Sequence, residues 1–505
     1  QALADAASGT RLRVQFGWRD AQDQIVATDV GAWQEVRRWA GTSDRGGWSM
    51  IVAGFQAPAG AAQLALSFHP ASDDRVYLDD IQVRRTIGLN LSRDDRNGQR
   101  TTDDGQQHVL VQPWPDGYRA ALSFSFDWET AMGGLIHSRS DDPNSSQNPL
   151  ARAMRMRAGV TTTLDLFRPY GIRATYYATG YNFLLGNTEK RQFMGNPTFA
   201  WAKQTNRWLD DTWARTPWFA DDPYGTVQTD PAWYFGDLVP LLQRERQDIQ
   251  SHTFSHMDGG LSDLATWRAD LATWKAVAAE RGVAGARSLA FPWSSSAGMS
   301  YDRWDELEQA GISSVTRTNW SQDQYDLFGR DTDGFTAAPH CIPLPGHERI
   351  LACPDFYLTV QRAPLAIRQL DSAIAAGGMI DLWAHTEEVV SPEQIAAWRQ
   401  VVSYAARQRD AGVLWVAPLA EIAGWQAAVA ELRIENEELR NQGDASTLSF
   451  RVHNASQQDL SGVTLKLPFQ PKRITVDGMI LSAQVSMLNL DIRAGQTVEV
   501  IVWPA

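Results

Sequence analysis

Apolar positions recur along the chain with two different periods, and the switch between them marks its organisation. In the first 86 residues, RLRVQFGWRD, GGWSMIVAGFQAP, AAQLALSFHP and RVYLDDIQVRR alternate apolar with polar and are broken by Gly, Pro, Asn and Asp. A period of two puts successive side chains on opposite faces, which predicts strands of a β domain over 1–86. Residues 87–116, with LNLSRDDRNGQRTTDDGQQ, hold few apolar positions and read as a linker.

From Tyr118 the pattern changes. RAALSFSFD reads as an apolar strand ending in acid, TTTLDLFRPYG as a helix and IRATYYATG as a strand. LSDLATWRADLATWKAVAAERG, YDRWDELEQAG and PEQIAAWRQVVSYAARQRDAG read as helices, with SLAFPW, ISSVTR, GGMIDLWAHT and VLWVAP as strands. Such alternation predicts a parallel sheet covered by helices, open or closed into a barrel, over 117–426. Sites in that architecture sit at the carboxyl ends of the strands. Residues 446–505 return to short strands and turns, a second β-sandwich assigned to 427–505. Within it, Ala427 to Asn441 fits a helix or a pair of strands. The ending LDDI-V of the first domain resembles the last strand of jelly-roll carbohydrate-binding modules, so that domain is either small or cut at its N-terminus.

Composition narrows the class. A chain of 505 residues, 43% hydrophobic and 21% charged, fits two to four soluble globular domains. No apolar run approaches the ~18 residues of a membrane span, and any leader or anchor is expected outside the sequence shown, since Gln1 is not a natural start. A net charge of −13 argues against nucleic acid as a partner. Twenty-one Trp supply flat faces for sugar rings as well as core volume. Cys341 and Cys353 lack His at ligand spacing, which leaves a disulfide across a loop, if the protein is extracellular, or two buried thiols.

Three clusters carry candidate chemistry. Asp127 and Glu129 stand two apart at a strand end, so their carboxylates share a side. His252 and His256 in SHTFSH are spaced to aim two imidazoles at one centre from a helical turn. His385 ends MIDLWAH. One carboxylate and two imidazoles form a metal-ligand set with open positions, leaving a second carboxylate as base and an outlying His as acid.

The order FD-x-acid, HTxxH, a strand followed by Phe291-Pro292-Trp293, and a strand-end His resembles the polysaccharide deacetylase family, over roughly residues 118–425. These are the NodB-homology enzymes of carbohydrate esterase family four, acting on chitin, peptidoglycan and biofilm glycans. The resemblance implies a deformed (β/α) barrel carrying a divalent metal, Zn first, with Co, Ni or Mn as alternatives. It implies Asp127 as base, His252 and His256 with Glu129 as metal ligands, His385 as acid, and the Trp293 N–H as oxyanion donor. Trp383, Pro292 and Trp128 are expected at the substrate, with core packing the other reading of Trp383. Two departures stand out: Trp128 separates the two acids, and Ala290 holds the place of the arginine that orients the base, with Arg287 the nearest substitute. No acidic partner of His385 is assigned. The interval from Glu129 to His252 is long for the family and contains Trp201, Trp208, Trp213, Trp218 and Trp233. It predicts an insertion at about 137–235, either a rim shaping the substrate or a stabilising loop.

The function expected is removal of acetyl groups from an extracellular polysaccharide, by a protein that is secreted, at the cell surface or periplasmic. The rival expectations are a catalytically idle glycan-binding scaffold and an O-acetyl esterase or small-amide hydrolase. The sequence assigns no oligomeric state.

Overall fold

The computed structural model describes residues 2–5, 10–22, 24–30, 34–36, 62–70, 75–78, 108–134, 142, 144–193, 222–260, 262–296, 299–318, 340–344, 346–442, 445–481 and 486–505. One compact unit is formed by the residues up to Ile87 and another begins at Gly88. In the first, Thr10–Arg19 pairs antiparallel with Ile25–Val30, Gln34–Val36 and Gln63–Pro70. Leu12, Val14 and Trp18 are buried on one of its faces, the alternation expected of a strand. The segments GGWSMIVAGFQAP and LDDI-V lie outside the described residues, the former whole and the latter past Leu78.

The second unit is built on a ring of parallel strands: β1 (Ala120–Trp128), β2 (Thr175–Ala178), β3 (Asp248–Ser251), β4 (Ser288–Ala290) and β5 (Ser314–Thr316), then β6 (His347–Ala352), β7 (Asp355–Tyr357) and β8 (Met379–His385). Each pairs in parallel with the next around the ring, β6 with β7 excepted, and β8 returns to β1. The step from β6 to β7 is covalent. One stretch of chain pairs with β5, crosses at Cys353-Pro354, and then pairs with β8. Cys353 is disulfide-bonded to Cys341 at that crossing, which selects the bridge over two thiols. The ring is therefore a deformed (β/α) barrel rather than an open sheet.

Alternation along β1 sorts its side chains. Phe124, Phe126 and Trp128 point outward into the aromatic core with Phe167 and Trp398, from helices α1 (Pro149–Phe167) and α6 (Pro392–Asp410). Each such ring contributes roughly 1.5–3 kcal/mol by leaving water. Ser123, Ser125 and Asp127 occupy the other face and are equally buried. Helix α1 starts where Asn148 accepts the N–H groups of Leu150 and Ala151, with Pro149 in its first turn. It approaches the segment after β8 so closely that a Cβ on Gly159 would lie 1.9 Å from the Thr386 carbonyl oxygen.

The remaining α-helices of six or more residues among the described residues are α2 (Val239–Arg244), α3 (Leu264–Ala279), α4 (Tyr301–Gln309), α5 (Ala363–Ala376) and α7 (Leu419–Ala430). Leu419, Ile422 and Ala423 of α7 share one apolar cluster with Ala121, Ala290 and Met379 of the ring and with the terminal sandwich. The segment read two ways resolves into both elements: α7 to Ala430, then a strand over Leu432–Gln442. That strand belongs to a five-stranded sheet packed on a three-stranded one, whose third strand is Leu110–Val111. Residues 108–116 therefore depart from the expected linker. Their few apolar side chains, Val109, Leu110, Val111 and Trp114, suffice to complete a sheet edge and an apolar seat.

The expected insertion at 137–235 also needs correction. Helix α1 and β2 fall inside it and are ordinary members of the barrel, so much of the extra length follows β2 rather than β1. Trp201, Trp208, Trp213 and Trp218 lie outside the described residues. Trp233 is buried against Tyr181.

Candidate metal centre and active site

The chain segments that carry the site residues leave the carboxyl ends of β1, β3, β4, β5 and β8, and there the backbone is under strain. Of eleven non-glycine residues with positive φ among the described residues, five lie here: Thr253, His256, Trp293, Ser294 and Arg317. A β-branched Thr at φ 60° is rare enough to require compensation from its surroundings. Asp270 of α3 provides it, accepting the N–H groups of Phe254 and Ser255 at 2.6 and 2.9 Å and the Ser255 hydroxyl at 2.6 Å. Burial pushes the Asp270 carboxyl up to about 6, against those three bonds. His252 and His256 are thus brought together by a kinked loop after β3, not by the helical turn their spacing suggested.

Glu129, His252 and His256 each present a ligand atom, all within 4.8 Å of one another, and all three are buried. Glu129 Oε1 is 3.2 Å from His256 Nε2 and 3.6 Å from the Nε2 atoms of both His252 and His385. His252 Nδ1 donates to the Ala290 carbonyl at 2.9 Å, which leaves the Nε2 lone pair facing the centre. Burial holds His256 below the usual histidine value, against the pull of Glu129. The Trp293 indole N–H donates to the His256 carbonyl at 3.1 Å, and the two rings meet edge to face.

Asp127 flanks the centre with Oδ2 3.8 Å from His252 Nε2. Its Oδ1 lies 3.1 Å from Arg317 Nη2, and the same guanidinium reaches Asp381 Oδ2 at 2.6 Å and Ser125 Oγ at 2.9 Å. Arg317 is 1% exposed. Burial opposes its charge, but Asp127 and Asp381 outweigh that, so it holds its proton more firmly than an ordinary arginine. Burial pushes Asp381 up to about 6 despite the guanidinium. Arg317 is the guanidinium that meets Asp127, whereas the resemblance offered Arg287 as the nearest substitute for the arginine missing at Ala290. Arg287 gives its backbone N–H to Gln250, and among the described residues no hydrogen bond or ion pair joins its side chain to Asp127. Two strands separate the arginines: β4 follows Arg287, and Arg317 follows β5.

On the opposite side, His385 Nδ1 donates to Glu388 Oε2 at 2.9 Å, and its backbone N–H reaches the same oxygen at 2.9 Å. The Tyr357 hydroxyl donates to the other Glu388 oxygen. Burial disfavours the imidazolium, but Glu388 and then Glu129 outweigh it and raise His385 to about 9. Glu388 is the acidic partner that sequence reading did not assign. Its signal was its position three residues after the histidine. Behind it, Glu387 is clamped by Arg152 and, at 2.9 Å, by Arg155 of α1.

Among the expected substrate contacts, Trp383 stacks on Tyr357 at 4.5 Å, donates its indole N–H to Asp355 at 2.7 Å, and lies 5.8 Å from the His385 ring. Arg317 covers its face at 4.3 Å. Pro292 is buried in the turn that carries Trp293. Trp128 is a correction. It is 0% exposed and packs on Phe235 and Tyr176, because alternation turns it away from Asp127 and into the outer core.

No protein-family model matches the sequence, and no curated protein matches it. Among solved structures, the chain is similar to a protein assigned as a polysaccharide deacetylase in Mycobacterium smegmatis, at 15% identity and TM-score 0.40, over 62% of this chain and 92% of that one. One so assigned from Pseudomonas aeruginosa PAO1 gives 17% and 0.39, over 63% and 94%. A PuuE allantoinase gives 17% and 0.39, over 63% and 93%.

Proposed function

We propose that the chain is a metal-dependent hydrolase that removes acetyl groups, N-acetyl of hexosamine foremost, from an extracellular polysaccharide. The observation that carries this reading is the convergence of Glu129, His252 and His256 on one point, with Asp127 and His385 on either side. A buried carboxylate beside two imidazoles, one with its Nε2 freed by the Ala290 carbonyl, is a donor set suited to Zn²⁺ and to Co²⁺, Ni²⁺ or Mn²⁺. A divalent ion there supplies Lewis acidity to an acyl carbonyl and makes water more acidic.

The protein's own groups have separable parts in that scheme. Asp127, held through Oδ1 by Arg317, takes the proton of the attacking water through Oδ2. The backbone N–H of Trp293 donates to the developing oxyanion, a contribution of roughly 3 kcal/mol in comparable sites. His385 holds a proton on Nε2 because Glu388 fixes Nδ1–H, and passes it to the departing amine or alcohol. Trp383 and Pro292 line the space for the acetyl methyl. The disulfide between Cys341 and Cys353 supports an oxidising compartment, hence a secreted, surface or periplasmic protein.

Acetate release from partially N-acetylated glucosamine polymers, with O-acetylated xylan and small cyclic amides as parallel substrates, tests the reading. Release from the polymer, lost on chelation and restored by Zn²⁺, is the expected result. Zinc-loaded protein that binds the polymer without releasing acetate from any substrate would leave a glycan-binding scaffold instead.

A further inference from the structure

We propose that Asp305, Glu308 and His347 form a second divalent-cation site that clips helix α4 to strand β6. Their ligand atoms all lie within 4.8 Å of one another, and none belongs to the Glu129 centre. Leu351 pairs with Ser314, the first residue of β5, so His347 stands beyond the amino end of that strand. The Glu129 centre sits at the carboxyl ends, and the inference does not depend on the proposed activity.

His347 is the observation that points to a ligand. It is 3% exposed, and neither ring nitrogen has a hydrogen-bond partner. Its imidazole packs against Tyr301 at 5.0 Å and Trp304 at 6.4 Å, with Nδ1 3.4 Å from Asp305 Oδ1. A buried imidazole with two unused nitrogens is costly unless something satisfies one of them. Asp305 and Glu308 stand three apart on α4 and so share a face. Glu308 lies in the last turn of the helix, where the dipole disfavours an acid and no basic residue compensates. Glu306, the other acid of that turn, is taken by Arg268 at 2.6 Å, whereas no Lys or Arg among the described residues pairs with Asp305 or Glu308. A divalent cation would satisfy all three groups. One imidazole nitrogen with two carboxylate oxygens suits Zn²⁺, with a fourth position open to water, better than the all-oxygen preference of Ca²⁺ or Mg²⁺.

The test uses Zn²⁺ alone as the probe, on the full chain, with metal per chain measured after equilibration at micromolar zinc and gel filtration. Two ions per chain are expected for the unaltered protein and one for His252→Ala/His256→Ala. One is also expected for Asp305→Asn, whose exposed position spares the fold, and for His347→Gln. Asp305→Asn should keep acetate release within about twofold. Loss of an ion in Asp305→Asn but not in His252→Ala/His256→Ala supports the second site and sinks the catalytic centre, so the two readings fail separately. An Asp305→Asn protein with unchanged zinc content overturns the proposal, as does His252→Ala/His256→Ala protein that binds none.

Discussion

Replacing Arg317 with Met tests whether one guanidinium holds the base. Its contacts of 3.1 Å to Asp127 and 2.6 Å to Asp381 represent roughly 5 and 6 kcal/mol of gross attraction at an effective dielectric of ~20. Most of that offsets the desolvation of a cation that is 1% exposed. Methionine fills the volume but leaves two buried carboxylates facing each other, a loss of about 3–5 kcal/mol. Asp381, already pushed up to about 6 by burial with Arg317 opposing, is pushed higher without it. The folded variant then binds more protons than the unfolded chain above pH 4, so its stability falls as pH rises. Urea unfolding followed by barrel tryptophan fluorescence should show a larger deficit at pH 8 than at pH 5. Adding Asp381→Asn should recover a large part of it, because the surplus charge is gone. Acetate release should fall about 100-fold or more in both variants, since Asp127 is no longer held. A deficit independent of pH, or a double variant no more stable than Arg317→Met, refutes the argument.

Three further outcomes follow from the geometry. Asp127→Asn should lower turnover at least ~100-fold while retaining bound metal by elemental analysis; a metal-free variant would contradict the division between base and ligands. Glu388→Gln removes what raises His385 to about 9 against burial, so the alkaline limb of the rate profile should move down toward or below ~6.5. In the unaltered protein that pairing stabilises the fold fully below ~6.5 and is lost as pH rises through about 9; an ion on Glu129 cancels part of the shift, and an unmoved limb in the variant excludes His385 as the acid. Gly159→Ala should cost about 1–3 kcal/mol and reduce activity, because its Cβ would meet backbone at 1.9 Å beneath the segment that carries Glu388; a melting point unchanged from the parent chain counts against that close approach.

The parts of the site legible in sequence were those whose spacing is local. Asp127 and Glu129 follow from period two, and the same rule, applied to Trp128, would have sent it outward to the core. His252 and His256 were found from their separation, but the loop joining them depends on Asp270, fourteen residues past His256, and on positive φ values that no composition announces. Arg317 stood at the end of ISSVTR, a basic residue closing an apolar strand, yet its partners lie 190 and 64 positions away. Barrel closure was left open by periodicity because it is made by one strand changing partners at Cys353-Pro354, which reads as a loop. The edge strand Leu110–Val111 was missed because two apolar residues in a polar stretch carry no periodicity.

That edge strand has a consequence for how the molecule is made. Leu110–Val111 leaves the ribosome before any barrel strand, but its partner, Leu460–Lys466, is synthesised some 350 residues later. The early segment must wait while the whole barrel emerges, and then be fastened by the Thr464 carbonyl to Gln112 and by Glu437 to His108. Pro113 and Gly377 receive the indole protons of Trp425 and Trp114, so the buckle also grips the barrel itself. A recombinant piece trimmed to residues 117–426 would lose both halves of the fastening and leave the apolar side of α7 uncovered, inviting self-association.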